Sequence, residues 1–107
     1  MDEGRGFTII DYEDRYKQAL EEISLPWLLE YDLLEPVDLE MLAEPHRFLS
    51  GGGRVLLARW GEEIVGMVML ELQGKGQCEL LKFGVKEAYR GRGIGTALME
   101  AALQAAR

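Results

Sequence analysis

Apolar and polar residues alternate along the chain with two different periods. "FTIID", Phe7–Asp11, is short, β-branched and aromatic, which predicts a strand. From there the spacing becomes helical, with apolar positions at Tyr12, Tyr16, Ala19, Leu20 and Ile23. Asp11 stands where a helix cap belongs, and Asp14 falls in the first turn, where the helix dipole favours a carboxylate. Ser24 predicts the cap of a second short helix through about Glu30, with Pro26 in its first turn. Pro36 and Pro45 bracket a third short helical turn, with Asp38 as cap and Pro45 as stop. "SGGG", Ser50–Gly53, breaks the pattern.

After that break the period changes. "RVLLARW" (Arg54–Trp60), "IVGMVMLEL" (Ile64–Leu72) and "QCELLKFGV" (Gln77–Val85) read as three strands. The turns "GEE" (Gly61–Glu63) and "QGKG" (Gln73–Gly76) are too short for a crossover, so the strands form an antiparallel meander. A final helix buries Ile94, Ala97, Leu98, Ala101, Ala102 and Ala105. The predicted class is α+β: a mostly antiparallel sheet of about four strands flanked by helices.

The net charge of −7 argues against nucleic acid as a partner. It is unevenly spread. Residues 1–50 carry 13 acidic and 4 basic side chains, and residues 51–107 carry 6 and 8. The first half suits a cationic substrate and the second tolerates an anion, although charged stretches are usually solvated surface. No apolar run approaches the roughly 18 residues of a membrane span. The acidic N-terminus lacks a signal-peptide core, so the expected location is the cytoplasm. One cysteine, Cys78, and one histidine, His46, leave no basis for a disulfide or a zinc cluster.

"RGRGIG", Arg90–Gly95, joins the last strand to the last helix. A helix N-terminus leaves backbone N–H groups without intrahelical partners, and the dipole adds positive potential there. Such a place holds anions, phosphates in particular. Glycine lets an anion approach the backbone and allows the φ values that turn successive N–H groups inward. Arginine adds forked, permanent donors. The segment thus reads as a pyrophosphate cradle. A P-loop is excluded because no lysine follows Gly95. A dinucleotide fingerprint fits poorly, because the third glycine position is Leu98 and the preceding strands form a meander.

With these residues the chain resembles the GNAT superfamily of acetyl-CoA-dependent N-acetyltransferases. The coenzyme signature of that family is Arg or Gln, two residues, Gly, one residue, then Gly or Ala. Here it is Arg90, Gly91-Arg92, Gly93, Ile94, Gly95. The frame "CELLKFGVKEAYRGRGIGTALMEAAL" is similar to the fourth strand, loop and helix of the family, with Tyr89 as the usual aromatic residue before the loop. The specific likeness covers residues 78–104, and the order of elements agrees over most of the chain.

The resemblance implies that the backbone around Arg90, Gly91, Arg92, Gly93, Ile94, Gly95 and Thr96 holds the pyrophosphate of coenzyme A. It implies that Phe83, Gly84 and Val85 pair with the pantetheine arm as an added strand, which an open sheet edge permits. Gly84 is expected at a bulge where ligand comes close. The implied acyl donor is acetyl-CoA, the implied acceptor a small-molecule or peptide amine, and no metal is involved.

Glu79 lies eleven residues before Arg90, the spacing at which some family members, histone acetyltransferases among them, carry a catalytic glutamate. It is the candidate general base that takes a proton from the amine. The competing reading is an ordinary strand glutamate that positions the sheet. Cys78 points to the opposite face and reads as a small buried residue. His46 reads as a surface or capping residue, and Tyr12 and Tyr16 as packing. Trp27, Glu30, Tyr31, Asp32 and Glu35 lie where the family shapes its acceptor pocket, and an aromatic, acidic pocket suits a cationic amine. Core packing is the plainer role for Trp27.

The resemblance also implies closing strands and a helix after the glycine-loop helix, with a tyrosine general acid among them. Residues 1–107 end before that part, and they are expected to form a partial domain. Two consequences are expected: weak or absent catalysis by these residues alone, and self-association through the open sheet edge. The rival from another class is a non-catalytic acyl-CoA-binding or interaction module.

Overall fold

The computed structural model describes residues 6–30, 44–74 and 77–106. Four strands form one sheet in the order β1-β2-β3-β4, with every neighbouring pair antiparallel. They are β1 (Phe7–Asp11), β2 (Gly53–Trp60), β3 (Glu63–Gly74) and β4 (Gln77–Val85). β1 and β4 fall where the sequence pattern puts them, and the meander of β2, β3 and β4 follows from the short turns. Helix α1 (Lys17–Glu30) and the short α2 (Pro45–Ser50) precede β2, and α3 (Ile94–Ala106) follows β4.

The sheet is buried on both faces. One face packs Leu56, Ala58, Val65, Val68 and Leu70 against Ile94, Ala97, Leu98 and Ala102 of α3. The other packs Val55, Leu57, Met67 and Met69 against Leu20 and Ile23 of α1, with Phe48 and Leu49 of α2 beside them. Central strands covered on both sides read as continuous apolar runs, which is why "IVGMVML" shows little alternation. The face predicted for α3 is the face that packs. Gly66 lets that helix sit close, since a Cβ there would stand 3.1 Å from Leu98 Cδ1.

Three helix boundaries differ from the sequence pattern. Asp11 caps no helix: it remains in β1, where its Oδ1 accepts from Arg54 Nη2 at 3.0 Å and Nε at 3.2 Å. A 3-10 turn over Asp14–Tyr16 leads into α1 instead. Ser24 does not open a second helix either. α1 runs unbroken through Ser24 and Pro26, and Ser24 Oγ is buried, donating to Met67 Sδ at 3.8 Å. Proline removes the helical bond from its own nitrogen and crowds the carbonyl four residues earlier, and the burial of Ile23 and Ser24 offsets that cost. Pro45 opens α2 rather than closing a helix, since the first helical position needs no N–H donor. The expected Asp38 cap and Pro36 boundary lie outside the described residues.

Tyr12 and Tyr16 pack against the α1 side of the core, as expected. The Tyr12 hydroxyl is buried without a hydrogen-bond partner among the described residues. Its pKa is raised, first by burial and then by the Asp14 carboxylate.

Candidate functional site

Antiparallel pairing brings the C-terminal end of β4 beside the N-terminus of α3. Residues 86–93 make the connection. Lys86 N–H donates to Val65 O at 2.8 Å and so extends the ladder past Val85. A 3-10 turn over Glu87–Tyr89 then reverses the chain. Gly91 and Gly93 have φ of 79° and 83°, in the left-handed region that side chains disfavour. Gly93 O accepts from Ala97 N at 3.1 Å, the first bond of α3. The N–H groups of Ile94, Gly95 and Thr96 therefore have no intrahelical acceptor and lie at the positive end of the dipole.

A cleft of about 610 Å³ opens at this junction. Its walls include Phe83, Gly84 and Val85 of β4, Arg90, Gly91 and Gly93 of the loop, and Ile94, Gly95 and Thr96 of α3. These are the residues singled out from the sequence as coenzyme-binding, with Arg92 alone missing. The Arg92 guanidinium lies over the Trp60 ring at 5.3 Å and the Tyr89 ring at 6.0 Å. Arg90 is turned back onto the strand, its Nε donating to Val85 O at 3.2 Å. Gly95 makes room for the Phe83 ring, because a Cβ there would stand 3.1 Å from Phe83 Cζ.

Gly84 is not at the bulge. Met67 faces Gly84 and Met69 faces Lys82, but Leu70 faces Leu80, so Leu81 is the extra residue. The close approach at Gly84 comes from α1: a Cβ there would stand 3.1 Å from Ile23 Cγ2.

The bulge decides where Glu79 points. Phe83 lies on the α3 face, against Gly95. Simple alternation puts Glu79 on the same face, but the extra residue moves it to the α1 face, directly opposite Glu71 of β3. Glu79 is exposed and outside the cleft. Four residue steps of strand lead from it to Phe83, roughly 13 Å along the chain. Cys78 points the other way, as expected, but is only half-buried against the α3-side core. His46 lies on α2. Tyr31, Asp32 and Glu35 lie outside the described residues, as do the side chains of Trp27 and Glu30.

Sequence reasoning missed the side chains that shape the loop. Glu87 and Tyr89 also line the cleft. Glu63, at the start of β3, accepts from Lys86 Nζ and Tyr89 Oη, each at 3.1 Å. Those two bonds, Lys86 first, hold the Glu63 carboxyl below its usual range, and the same contact raises the Tyr89 phenol. Tyr89 was legible as the aromatic before the loop, but nothing local marks Glu63 as its partner. Among the described residues, no group of three or more His, Cys, Asp or Glu is placed to hold a metal ion. Among the described residues, no helix is long and apolar enough to cross a membrane.

Known structures share this fold. An acetyltransferase of the GNAT family from Staphylococcus aureus Mu50 superposes with a TM-score of 0.78 at 28% identity, over 94% of this chain and 66% of that one. The PaiA N-acetyltransferase from Thermoplasma acidophilum, in complex with coenzyme A, gives 0.72 at 20% identity, over 94% and 71%. An acetyltransferase from Streptococcus agalactiae 2603 gives 0.75 at 21%, over 92% and 65%. This chain thus spans about two thirds of the length of these relatives. No curated protein sequence matches it. The sequence profile of the Acetyltransferase (GNAT) family matches residues 11–107, and the chain belongs to that family.

Proposed function

We propose that this chain carries the coenzyme-binding part of an N-acetyltransferase that moves an acetyl group from acetyl-CoA to an amine. One observation carries the reading: the edge of β4 and the N-terminus of α3 meet in a single cleft lined by Phe83–Val85 and the glycine loop. The fit to the coenzyme rests on two features of that cleft. Gly91 and Gly93 carry no Cβ where an anion needs to reach the backbone, with open space around both positions. The outer edge of β4 offers main-chain groups to an amide-bearing arm, although the Val85 carbonyl is already taken by Arg90. In this reading the amides near Arg92, Gly93, Gly95 and Thr96 hold the pyrophosphate, and Phe83, Gly84 and Val85 align the pantetheine.

The reaction is direct attack. The amine nitrogen bonds to the thioester carbonyl carbon, the C–S bond breaks, and coenzyme A leaves as the thiolate. The amine must first be neutral, and Glu79 is the proposed acceptor of its proton, directly or through water. The α1 face, which Glu79 shares, is then the acceptor side of the sheet.

We further propose that residues 1–107 are the N-terminal part of a longer domain, since the relatives are about half as long again. Leu72 of β3, Leu80 and Phe83 of the edge strand β4, and Met99 and Leu103 of α3 are exposed apolar side chains. They support self-association of two copies through that edge. A single mass matching the monomer in light scattering at tens of micromolar would count against this part.

The position of Glu79, exposed and outside the cleft, favours one alternative: a module that binds acyl-CoA without turning it over. Calorimetric titration of coenzyme A and acetyl-CoA, followed by thiol release with a panel of amines, separates the readings. Binding with turnover supports the transferase. Binding alone supports the module. No binding sinks both.

A further inference from the structure

The loop that forms the cradle is held from outside. Glu63 is separated from Lys86 and Tyr89 by 23 and 26 residues, and its two carboxylate oxygens are divided between them, Oε2 to Lys86 Nζ and Oε1 to Tyr89 Oη. Lys86 reaches on to Glu22 of α1 at 3.8 Å. The Tyr89 ring meets Trp60 with centroids 5.4 Å apart, and Trp60 in turn stacks on Phe7 at 6.5 Å. Arg92 covers both Trp60 and Tyr89. Both ends of the segment that leads from β4 to Gly93 are therefore fastened, Lys86 to Glu63 and Arg92 to Trp60, and neither Glu63 nor Trp60 lines the cleft.

From this arrangement we infer that Glu63 is a positioning residue for the phosphate cradle, acting through Tyr89 and Lys86. The inference rests on the coenzyme-binding reading above. Three physical facts carry it. Gly91 and Gly93 belong to the least restricted residue type and both sit at positive φ, so the loop needs outside support to keep its N–H groups convergent. A carboxylate that accepts one bond from a cation and one from a phenol fixes both partners in direction as well as distance. Glu63 and Lys86 are partly solvated, at 48% and 28% side-chain exposure, and ion pairs of that kind add little to global stability. The effect of the contact therefore falls on loop geometry, and so on ligand affinity, more than on unfolding.

The test is calorimetric titration of coenzyme A into the wild-type chain, Glu63→Ala, Glu63→Gln, Tyr89→Phe and the double variant Glu63→Ala/Tyr89→Phe, with Glu62→Ala as control and a melting curve for each. Wild type and Glu62→Ala should bind alike. Glu63→Ala should weaken binding about three- to tenfold with Tm almost unchanged, a coupling of the size that side chains outside a site transmit. Glu63→Gln keeps one acceptor and should fall in between. Tyr89→Phe lacks only the hydroxyl, so adding it to Glu63→Ala should cost less than it does alone. Two results overturn the inference while leaving the coenzyme reading intact: wild-type affinity in Glu63→Ala, or full additivity in the double variant. A large fall in Tm that tracks the loss of affinity also overturns it, because it assigns Glu63 a merely structural role. Absence of binding by the wild type removes the coenzyme reading, and the inference with it.

Discussion

The two ends of β4 make opposite kinds of surface. At the C-terminal end, Phe83–Val85 run into a turn, two left-handed glycines and a helix N-terminus, and what they present is mostly backbone. That end is also tethered through Lys86, Tyr89 and Arg92. At the N-terminal end, Glu79 presents a side chain, exposed, across from the like charge of Glu71. Binding built from backbone is fixed when the fold forms. A proton-transfer role built from one exposed carboxylate depends on what else comes to that face. The proposed coenzyme cradle therefore rests on the backbone of this chain, whereas the role proposed for Glu79 depends on an acceptor.

The sharpest way to break the comparison is to spoil one end and test the other. Gly93→Glu puts a carboxylate into the cradle at a φ of 83°. Coenzyme A affinity should fall by about a hundredfold or more, from repulsion and strain together. Unchanged affinity in calorimetry would mean that the loop is no cradle. Glu79→Gln is the converse. Coenzyme A affinity should stay within about twofold, and thiol release with an accepted amine should drop on the order of a hundredfold. Equal turnover by the variant would return Glu79 to the role of a strand glutamate.

Smaller effects sharpen the picture. The Glu63 carboxyl is held below its usual range by Lys86 and Tyr89. A lowered folded-state pKa contributes stability above the unfolded value near 4.3, and that contribution is lost as pH falls through the folded value. Melting temperatures of wild type and Glu63→Gln should therefore differ by about a degree or two at pH 7 and converge once the pH falls below that lowered folded-state value. A gap that widens in acid would assign the shift to another group. The smallest change is expected from Tyr12→Phe. Its hydroxyl is buried and unpaired among the described residues, so its removal should leave Tm unchanged or raise it by about a degree at most. A marked loss would reveal a partner for that hydroxyl.

Much of this was legible in the sequence because it depends on near neighbours. Strand β1, strand β4, the meander turns and the buried face of α3 are local patterns, and the glycine loop is contiguous with the helix it opens. The errors share a cause as well. Asp11 and Ser24 are good caps by residue type, but Arg54 and Met67, 43 residues away from each, offered better-placed partners. Pro45 was a boundary in either reading, and only the fold decided which side of it is helical.

The sequence by itself determined the sheet and its turns, the helix that covers one face, and a loop whose glycines and arginines suit an anion. Periodicity and short-range sterics act on each segment alone, so they can be read from it. Tertiary structure decided which arginine faces where, what steadies the loop, and the side of the sheet on which Glu79 stands. A single extra residue at Leu81 reverses the alternation between Glu79 and Phe83, and a bulge exists only where two strands pair. Its position is a property of the register between β3 and β4, which neither strand carries alone.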